Sequence, residues 1–436
     1  MSTKKKSQAE ILQKLGIAQL NDMQEEALLA IKHSPEVVLL SPTGTGKTLA
    51  FLLPLIEALD PKIKEVQALI IAPSRELAIQ IGGVTKEMGS GFKTNTFYGG
   101  RNFSKDRLEL STRPAILVGT PGRIADHLYR QTFITDHIKI FVLDEFDKSL
   151  EVGFEDEMKE ITHALHRVEK KILTSATDGI EIPDFLNLTK PLYVNHLADR
   201  IDKLKVVRVV SPEKDKLTTL EKTLSHIGNK PGIIFCNFKD SIKRISDFLT
   251  ERGIDHGCFY GGLEQIDRER ALLKFRNGTH QIIIATDLAA RGIDVPEIKF
   301  IIHYHLPMRS EEFTHRNGRT ARMGAEGKAY VLHWEEENLP DFVTKYPEEK
   351  LDQNNVLEKS NWSTLYISAG RKDKISKGDI AGFIFKKGLI EKEDIGIIEI
   401  KQDCSFTAVA YKKANSLVDK LDQERIKKKK VRVKIV

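Results

Sequence analysis

The amino-acid sequence predicts two tandem α/β units built on parallel sheets, followed by a small α+β module. Three observations carry this. Short, continuous apolar runs alternate with stretches of helical spacing from Glu36 onward, the pattern of a parallel sheet covered on both faces. The alternation restarts after about Asn195, which makes two consecutive units rather than one long sheet. Over roughly the last 75 residues the order changes to β-α-β-β-α-β, a ferredoxin-like or RRM-like arrangement.

In the first unit, strands are read at 37–40, 68–72, 115–118, 140–143 and 172–174, with helices over 49–59 and 76–88. In the second they are read at 205–210, 232–236, 281–285 and 300–303, after a joint near 195–204. The third module places strands at 364–368, 395–400, 406–411 and 430–436 around helices at 376–385 and 414–423. The domains are drawn at 1–203, 204–348 and 362–436, with a linker at 349–361.

Composition fits this size and plan. The chain has 436 residues, 40% of them apolar and 30% charged, enough to build two or three cores. No apolar run approaches the ~20 residues of a membrane helix, and Met1 to Glu10 is polar with no apolar segment behind it. Cys236, Cys258 and Cys404 lie far apart without metal-ligand spacing, so free thiols in a reducing compartment are expected. A cytoplasmic monomer with no membrane partner is the expectation. Net charge is +6, but residues 362–436 carry eighteen Lys/Arg against ten Asp/Glu, leaving a slight negative excess elsewhere. Positive charge gathered in one module suits either a polyanion partner or a solvated basic tail.

The strongest motif is Ser41-Pro-Thr-Gly-Thr-Gly-Lys-Thr48, directly after the first strand. It fits a phosphate-binding loop in which Ser41 stands for the usual first glycine. Pro42, Thr43 and Thr45 complete the loop, and Gly44 and Gly46 let its N–H groups curl toward phosphate oxygens. Lys47 suits neutralisation of β- and γ-phosphates, and Thr48 suits ligation of Mg²⁺. Phe141-Val-Leu-Asp-Glu-Phe-Asp147 then puts Asp144 and Glu145 at the carboxyl end of another strand, the usual ligand edge of a parallel sheet. Asp144 is placed to hold the Mg²⁺ shell, through water, and Glu145 to orient and deprotonate an attacking water.

These segments resemble the DEAD-box family of superfamily 2 RNA helicases over residues 10–335. Ala72-Pro-Ser-Arg-Glu-Leu-Ala78, Thr120-Pro-Gly-Arg123, Ser175-Ala-Thr177, Gln265-Ile-Asp-Arg268, Ala285-Thr-Asp-Leu-Ala-Ala-Arg-Gly-Ile-Asp294 and His315-Arg-Asn-Gly-Arg-Thr-Ala-Arg322 look like that family's ordered motifs. The resemblance implies two RecA-like domains with ATP and Mg²⁺ as cofactors. It implies that Gln24 reads the adenine edge, Asp294 the ribose, and that Arg319 and Arg322 act as arginine fingers. It places RNA along Arg75, Gly99, Gly100, Thr120 and Arg123 on the first domain, and Thr286 and Arg291 on the second. Asp147, Ser175 and Thr177 would couple the ATP site to domain closure.

Several positions depart from the family pattern. Phe146 replaces a small alanine after Glu145, which requires local repacking. Leu20-Asn21 and Ser7 stand where the family has Pro-Thr and an aromatic, which predicts looser discrimination of ATP from GTP. Ala321 replaces a glycine and is read as a minor change within a helix.

The segment from Thr364 to Ile380, with the closing part from Cys404 to Val436, is similar to the C-terminal domain of DbpA-like helicases. This resemblance implies an RRM-like domain that binds a hairpin of large-subunit ribosomal RNA. Tyr366 and Phe406 are candidates for base stacking, though single aromatics of this kind are more often core. Arg371, Lys372 and Lys374, with Lys427 to Lys430, are candidates for phosphate contacts. The reading is an RNA-dependent ATPase that unwinds short RNA duplexes during large-subunit assembly. An ATP-gated RNA clamp and a general RNA chaperone remain open beside it.

Overall fold

The computed structural model describes residues 5–149, 154–179, 181–199, 204–287, 298–321, 326–352 and 359–436. The chain divides into two compact units, one up to residue 202 and one from 203 onward.

In the first unit, β1 (Glu36–Leu40), β2 (Ala68–Ile71), β3 (Thr94–Phe97), β4 (Ile116–Gly119), β5 (Ile140–Leu143), β6 (Lys170–Ser175) and β7 (Leu192–Asn195) form one sheet. Its order is β3-β4-β2-β5-β6-β1-β7, and every pairing is parallel. Alternate residues feed opposite cores. Val37, Leu39, Ile70, Val118 and Val142 pack beneath the helices Asp22–His33, Lys47–Ala58 and Arg75–Met88. Val38, Leu40, Leu69, Leu117 and Leu143 pack on the other side with Ile124, Phe146, Met158 and Ile161. This two-sided burial is why the strands read as unbroken apolar runs.

The second unit holds β8 (Leu204–Ser211), β9 (Gly232–Phe235), β10 (His256–Phe259), β11 (Ile282–Ala285), β12 (Phe300–His303) and β13 (Gly327–Trp334), in the parallel order β10-β11-β9-β12-β13-β8. It also holds an antiparallel sheet of β14 (Trp362–Ile367), β15 (Ile395–Ile400), β16 (Ser405–Ala410) and β19 (Val433–Ile435), with the short hairpin β17 (Arg425–Ile426) and β18 (Lys429–Lys430). The order β15-β16-β14-β19, with helices Lys377–Gly388 and Ala414–Leu421 on one face, is the RRM-like arrangement. Of the segment read as linker, Glu349 pairs with Lys328 and His226, and Leu351 packs on the parallel-sheet core, so its start is strapped to that domain.

The sequence expectations differ from the fold in several places, and besides β3 the strands β7, β10 and β13 were not read. β3 was missed because three of its four residues, Thr94, Asn95 and Thr96, are polar, although all are buried. The run 430–436 is not one strand: Lys429–Lys430 close a hairpin before β19 begins at Val433. Ala321 is not within a helix. It follows the helix Ser310–Asn317 in the left-handed region at φ +55°, with its amide against Gly327. The family's glycine at this position thus has a conformational reason, since a Cβ is unfavourable there. Ala321→Gly is expected to stabilise the second unit by about 0.5–1 kcal/mol. Both tryptophans, Trp334 and Trp362, lie in that unit, so urea denaturation followed by their fluorescence reads the effect directly; an unchanged or lower midpoint refutes it.

Candidate nucleotide-binding and RNA-binding sites

β1 runs into the loop of residues 41–46 and then into the helix Lys47–Ala58. Gly44 and Gly46 take φ +87° and +91°, open only to glycine at little cost. Gly46 is constrained a second time, because a Cβ there would come 2.3 Å from Gln24 Nε2. Gln24 Nε2 donates to Gly46 O at 3.3 Å, and Asn21 Nδ2 donates to Thr45 O at 3.1 Å. Asn21 and Gln24 also form a reciprocal cap on the helix Asp22–His33, at 2.9 and 3.1 Å. The departures upstream of Gln24 are therefore structural fixtures. Leu20 is core, Asn21 grips the phosphate loop, and Ser7 caps the helix Gln8–Leu15.

Within the loop, the Ser41 and Thr45 hydroxyls lie 2.8 Å apart, and Thr45 also donates to Pro42 O. The hydroxyl that replaces the first glycine's hydrogen thus staples the loop. Lys47 Nζ folds back to donate to Ser41 O at 2.5 Å and Pro42 O at 2.9 Å. Thr43 and Thr48 are half-buried on the loop rim.

The acids come next in space because β6 and β5 are the neighbours of β1. Ser41 N donates to Ser175 O, joining the loop to the end of β6. Asp144 is buried at the end of β5, where Thr174 Oγ1 and the Glu145 N–H donate to its Oδ1. Burial first, and then the charge of Glu145, push the Asp144 carboxyl up to about 6, against the opposing pull of Lys47. Asp147 is likewise pushed up to about 6, by burial and then by Glu145, with Lys148, Lys47 and Ser175 opposing. Glu145 sits at φ +48°, an unusual conformation for a side-chain-bearing residue, held by its amide bonds to Asp144 and Thr174. Phe146 points away from the acids into the second core face, 2% exposed, which is how the larger residue is accommodated. Thr177 N donates to Ser175 Oγ at 3.0 Å and their hydroxyls are 3.2 Å apart. No group of three or more His, Cys, Asp or Glu among the described residues could hold a metal alone. A hard cation at Asp144 and Thr48 would be completed by water and phosphate oxygens, as suits Mg²⁺.

Of the residues read as an RNA path on the first unit, Arg75 lies against the Gly99-Gly100 turn, where a Cβ on Gly100 (φ +84°) would come 2.7 Å from Arg75 Nη1. Thr120 opens the helix Pro121–Tyr129 without spending its hydroxyl on a cap. Arg123 is more committed. Its guanidinium donates to Asp106 at 2.7 and 2.9 Å and to Arg101 O, and it stacks over Phe103. Burial pushes the Asp106 carboxyl up, but hydrogen bonds from His127 and Arg123 and the charge of Arg101 outweigh it and hold the group below its usual range. Asp106 and His127, absent from the sequence reading, thus organise this corner.

On the second unit, Thr286 follows β11, with its N–H on Phe259 O. Beside it lies a network that sequence inspection overlooked. Arg316, 2% exposed, pairs with both carboxylate oxygens of Asp287 at 2.6 and 2.5 Å, and donates to His305 O and Asn237 Oδ1. The charged groups of two motifs are thereby locked together. Arg319 is buried just after the same helix, its N–H on Arg316 O. Arg291, Asp294 and Arg322 lie outside the described residues.

In the C-terminal domain, Arg371, Lys372 and Lys374 are exposed on a tight turn, with Lys372 paired to Asp403 at 2.5 Å. Lys427 and Lys429 are paired with Asp379 and Asp373, at 2.7 and 2.6 Å, while Lys428 and Lys430 are exposed. Tyr366 and Phe406 pair across strands with ring centroids 5.7 Å apart, and Lys434 lies over Tyr366. The same sheet face is partly covered by the parallel-sheet domain. Thr364 is fully buried between Asn277 (2.8 Å) and Thr279 (2.7 Å), Trp362 packs on Gly278, and Arg276 pairs with Glu399 at 2.9 Å.

The same parts in the same order occur in known proteins. Residues 21–184 match the DEAD/DEAH box helicase family, 215–324 the helicase conserved C-terminal domain, and 364–435 the DbpA RNA binding domain. ATP-dependent RNA helicase DbpA of Bacillus subtilis is 30% identical, over 97% of this chain and 96% of its own length. The chain belongs to the DEAD-box RNA helicases. DbpA of Escherichia coli is also 30% identical, over 98% of this chain and 96% of its own. Among solved structures, Saccharomyces cerevisiae Dbp5 bound to RNA and ADP BeF3 shares 27% identity and a TM-score of 0.68, over 76% of this chain and 88% of that one. This chain is therefore an ATP-hydrolysing RNA helicase of two RecA-like domains and a DbpA-type RNA-binding domain. No helix among the described residues is long and apolar enough to cross a membrane.

The raised Asp144 carboxyl has a consequence for the free helicase. Its folded pKa of about 6 exceeds the unfolded value of 3.8, so ionised Asp144 opposes folding at pH 7 and the opposition fades as pH falls below both values. Asp144→Asn keeps an acceptor for Thr174 and removes the charge. Without nucleotide or divalent ions it is expected to melt about 3 °C or more above the parent at pH 7.5. The gap should shrink toward pH 5; thermal melts at both pH values that show no gap, or a constant one, refute the assignment.

Proposed function

We propose that this helicase uses ATP to separate short RNA duplexes locally, and that its C-terminal domain addresses it to ribosomal RNA of the large subunit. The observation that carries the motor reading is the convergence of phosphate loop, Asp144 and Ser175 at the ends of three adjacent strands, β1, β5 and β6. Lys47 and the N–H groups of residues 43–48 hold the ATP phosphates. Gln24 has one N–H and one lone pair left for the adenine edge, which presents the matching donor and acceptor. Asp294 meets the ribose. Thr48 and, through water, Asp144 would hold Mg²⁺, which would supply charge neutralisation at the phosphates. Glu145 orients the attacking water and takes its proton. Arg319 and Arg322 stabilise the charge of the transition state once the two RecA-like domains close. Asp147, Ser175 and Thr177 link this site to closure. RNA runs along Arg75, Gly99, Gly100, Thr120 and Arg123, and along Thr286 and Arg291. Here Arg123 serves chiefly by holding its corner through Asp106. A monomer working in the cytoplasm on large-subunit assembly is part of the same reading, supported by the DbpA-type domain and its net charge of +8.

Glu145→Gln is expected to bind ATP and RNA as the parent does and to hydrolyse ATP at least ~100-fold more slowly. Steady-state ATPase assays on saturating RNA check this, and near-normal turnover removes Glu145 from the role. For the C-terminal domain, substitution is a better test than deletion, because deletion would strip the cover from Asn277 and Thr279. The triple change Arg371→Gln, Lys372→Gln and Lys374→Gln should raise the half-saturating RNA concentration several-fold for ribosomal hairpins. It should also flatten the salt dependence, since fewer phosphates are then neutralised. A parent protein that shows no preference for ribosomal hairpins over random RNA at any salt would refute the address.

A further inference from the structure

One cavity of the first unit belongs neither to the phosphate loop nor to the RNA path proposed along Thr120 and Arg123. It measures about 480 Å³ and lies between the helices Phe103–Leu110 and Pro121–Tyr129. Its lining holds three arginines, Arg107, Arg113 and Arg130, and no carboxylate. The chain shapes it by turning sharply at Gln131, φ +50°, so that Arg130 and Thr132 both face the cavity. Both helices end here, and their last carbonyls alone would repel an anion. Arg113 cancels that. Its Nη1 donates to Leu110 O at 3.2 Å and to Thr132 O at 2.7 Å, and its Nε lies 3.6 Å from Glu65. The other two arginines keep donors for a ligand. Arg107 is exposed and has no hydrogen bond or ion pair among the described residues, and Arg130 commits only its Nε, to Asp126 at 2.6 Å. A single ring joins this pocket to the RNA path. Phe103 has Arg130 over it at 4.7 Å and Arg123 at 4.9 Å, and it stacks on His127. With those three partners the ring has no face left for a base, so what the pocket offers is charge.

We propose that this pocket binds a backbone phosphate of RNA that continues beyond the path on the first RecA-like domain, through Arg107 and Arg130. The inference rests on the reading that RNA passes Thr120 and Arg123. A guanidinium presents paired N–H donors that match phosphate oxygens, and two of them, one from each helix, hold the group from two sides. Tyr129, next to Arg130 in the chain, is 86% exposed, and an open ring beside arginines is the combination on which single-stranded RNA binds. Contact with phosphate alone carries no base information, so this site holds RNA of any sequence. Continuity with Arg123 through Phe103 favours RNA over an acidic peptide as the occupant.

The test uses the full chain, a non-hydrolysable ATP analogue and fluorescent single-stranded RNAs of random sequence and increasing length, with affinity read by anisotropy. In the parent, affinity should keep rising once the RNA outgrows the path. In the pair Arg107→Gln and Arg130→Gln it should level off there, leaving the longest RNA bound about fivefold or more weakly. The salt slope should fall by roughly 0.7 for each arginine removed. The pair Arg107→Lys and Arg130→Lys keeps both charges and should recover most of the affinity. Both pairs should melt as the parent does, since the two side chains are exposed. RNAs with one uncharged methylphosphonate linkage at successive positions locate the phosphate. The parent should lose affinity at a position where the glutamine pair loses none. Arg75→Ala separates this proposal from the reading beneath it. If Arg75→Ala weakens binding and the glutamine pair binds every length as the parent does, the path stands and the phosphate pocket falls. If neither changes affinity, the path falls and takes the pocket with it. If poly-glutamate binds the parent but not the glutamine pair, while RNA binds both alike, the pocket takes carboxylates and the proposal is overturned.

Discussion

Neighbouring strands of a parallel sheet all end on the same edge, and the first domain is organised by that constraint. With β1, β6 and β5 side by side, the loop at Ser41, the turn at Ser175 and the carboxylate of Asp144 become neighbours without further design. The strand interiors need only be apolar and β-branched. Chemistry is confined to the residue or two after each strand, where backbone groups leave the ladder and side chains face outward. The same rule on the second domain brings Asn237, Phe238, Thr286, Asp287 and His305 to one edge.

That edge concentrates charge that the fold alone does not neutralise. Asp144, Glu145 and Asp147 crowd around one strand end, and burial raises both aspartates against the pull of Lys47. The nucleotide-free state carries this as a cost, and a divalent cation with its phosphates would relieve it. Stability given up at the site becomes affinity for the ligand. The lysine meanwhile rests on the carbonyls of Ser41 and Pro42, so the loop is held in a curled form by its own side chains.

Most of the architecture was legible in the sequence because strands buried on both faces must be apolar, and because motifs follow them immediately. What escaped was whatever depends on partners far away in sequence. β3 is polar yet buried, visible only through its neighbours β4 and the helix Arg75–Met88. Asp106 and His127 look like surface residues until Arg123 closes on them. Arg316 is identical in kind to Arg319 and only three positions before it, but only the fold shows that its charge is spent on Asp287. Asn21 and Ser41, read as departures from a pattern, turn out to grip and staple the phosphate loop.

The C-terminal sheet carries the last step. Its row of Glu399, Phe406, Tyr366 and Lys434 is the face on which a β-sheet module would stack bases. Here one end of that face is taken by Asn277, Gly278 and Thr279, and Arg276 and Glu269 pair with Glu399 and Lys401. Arg276 and Glu269 belong to the helix Gln265–Arg276, whose first turns carry the Gln265 and Arg268 motif. Twelve residues span only about 18 Å. One short helix therefore joins the RNA-binding domain to a motif of the motor. Arg371, Lys372 and Lys374 stay exposed beside that covered face, on the turn tucked against Lys401 and Gln402. That turn and the ion pairs to the helix meet on one hairpin, so the RNA-binding domain and the motor share a packed connection as well as a chain.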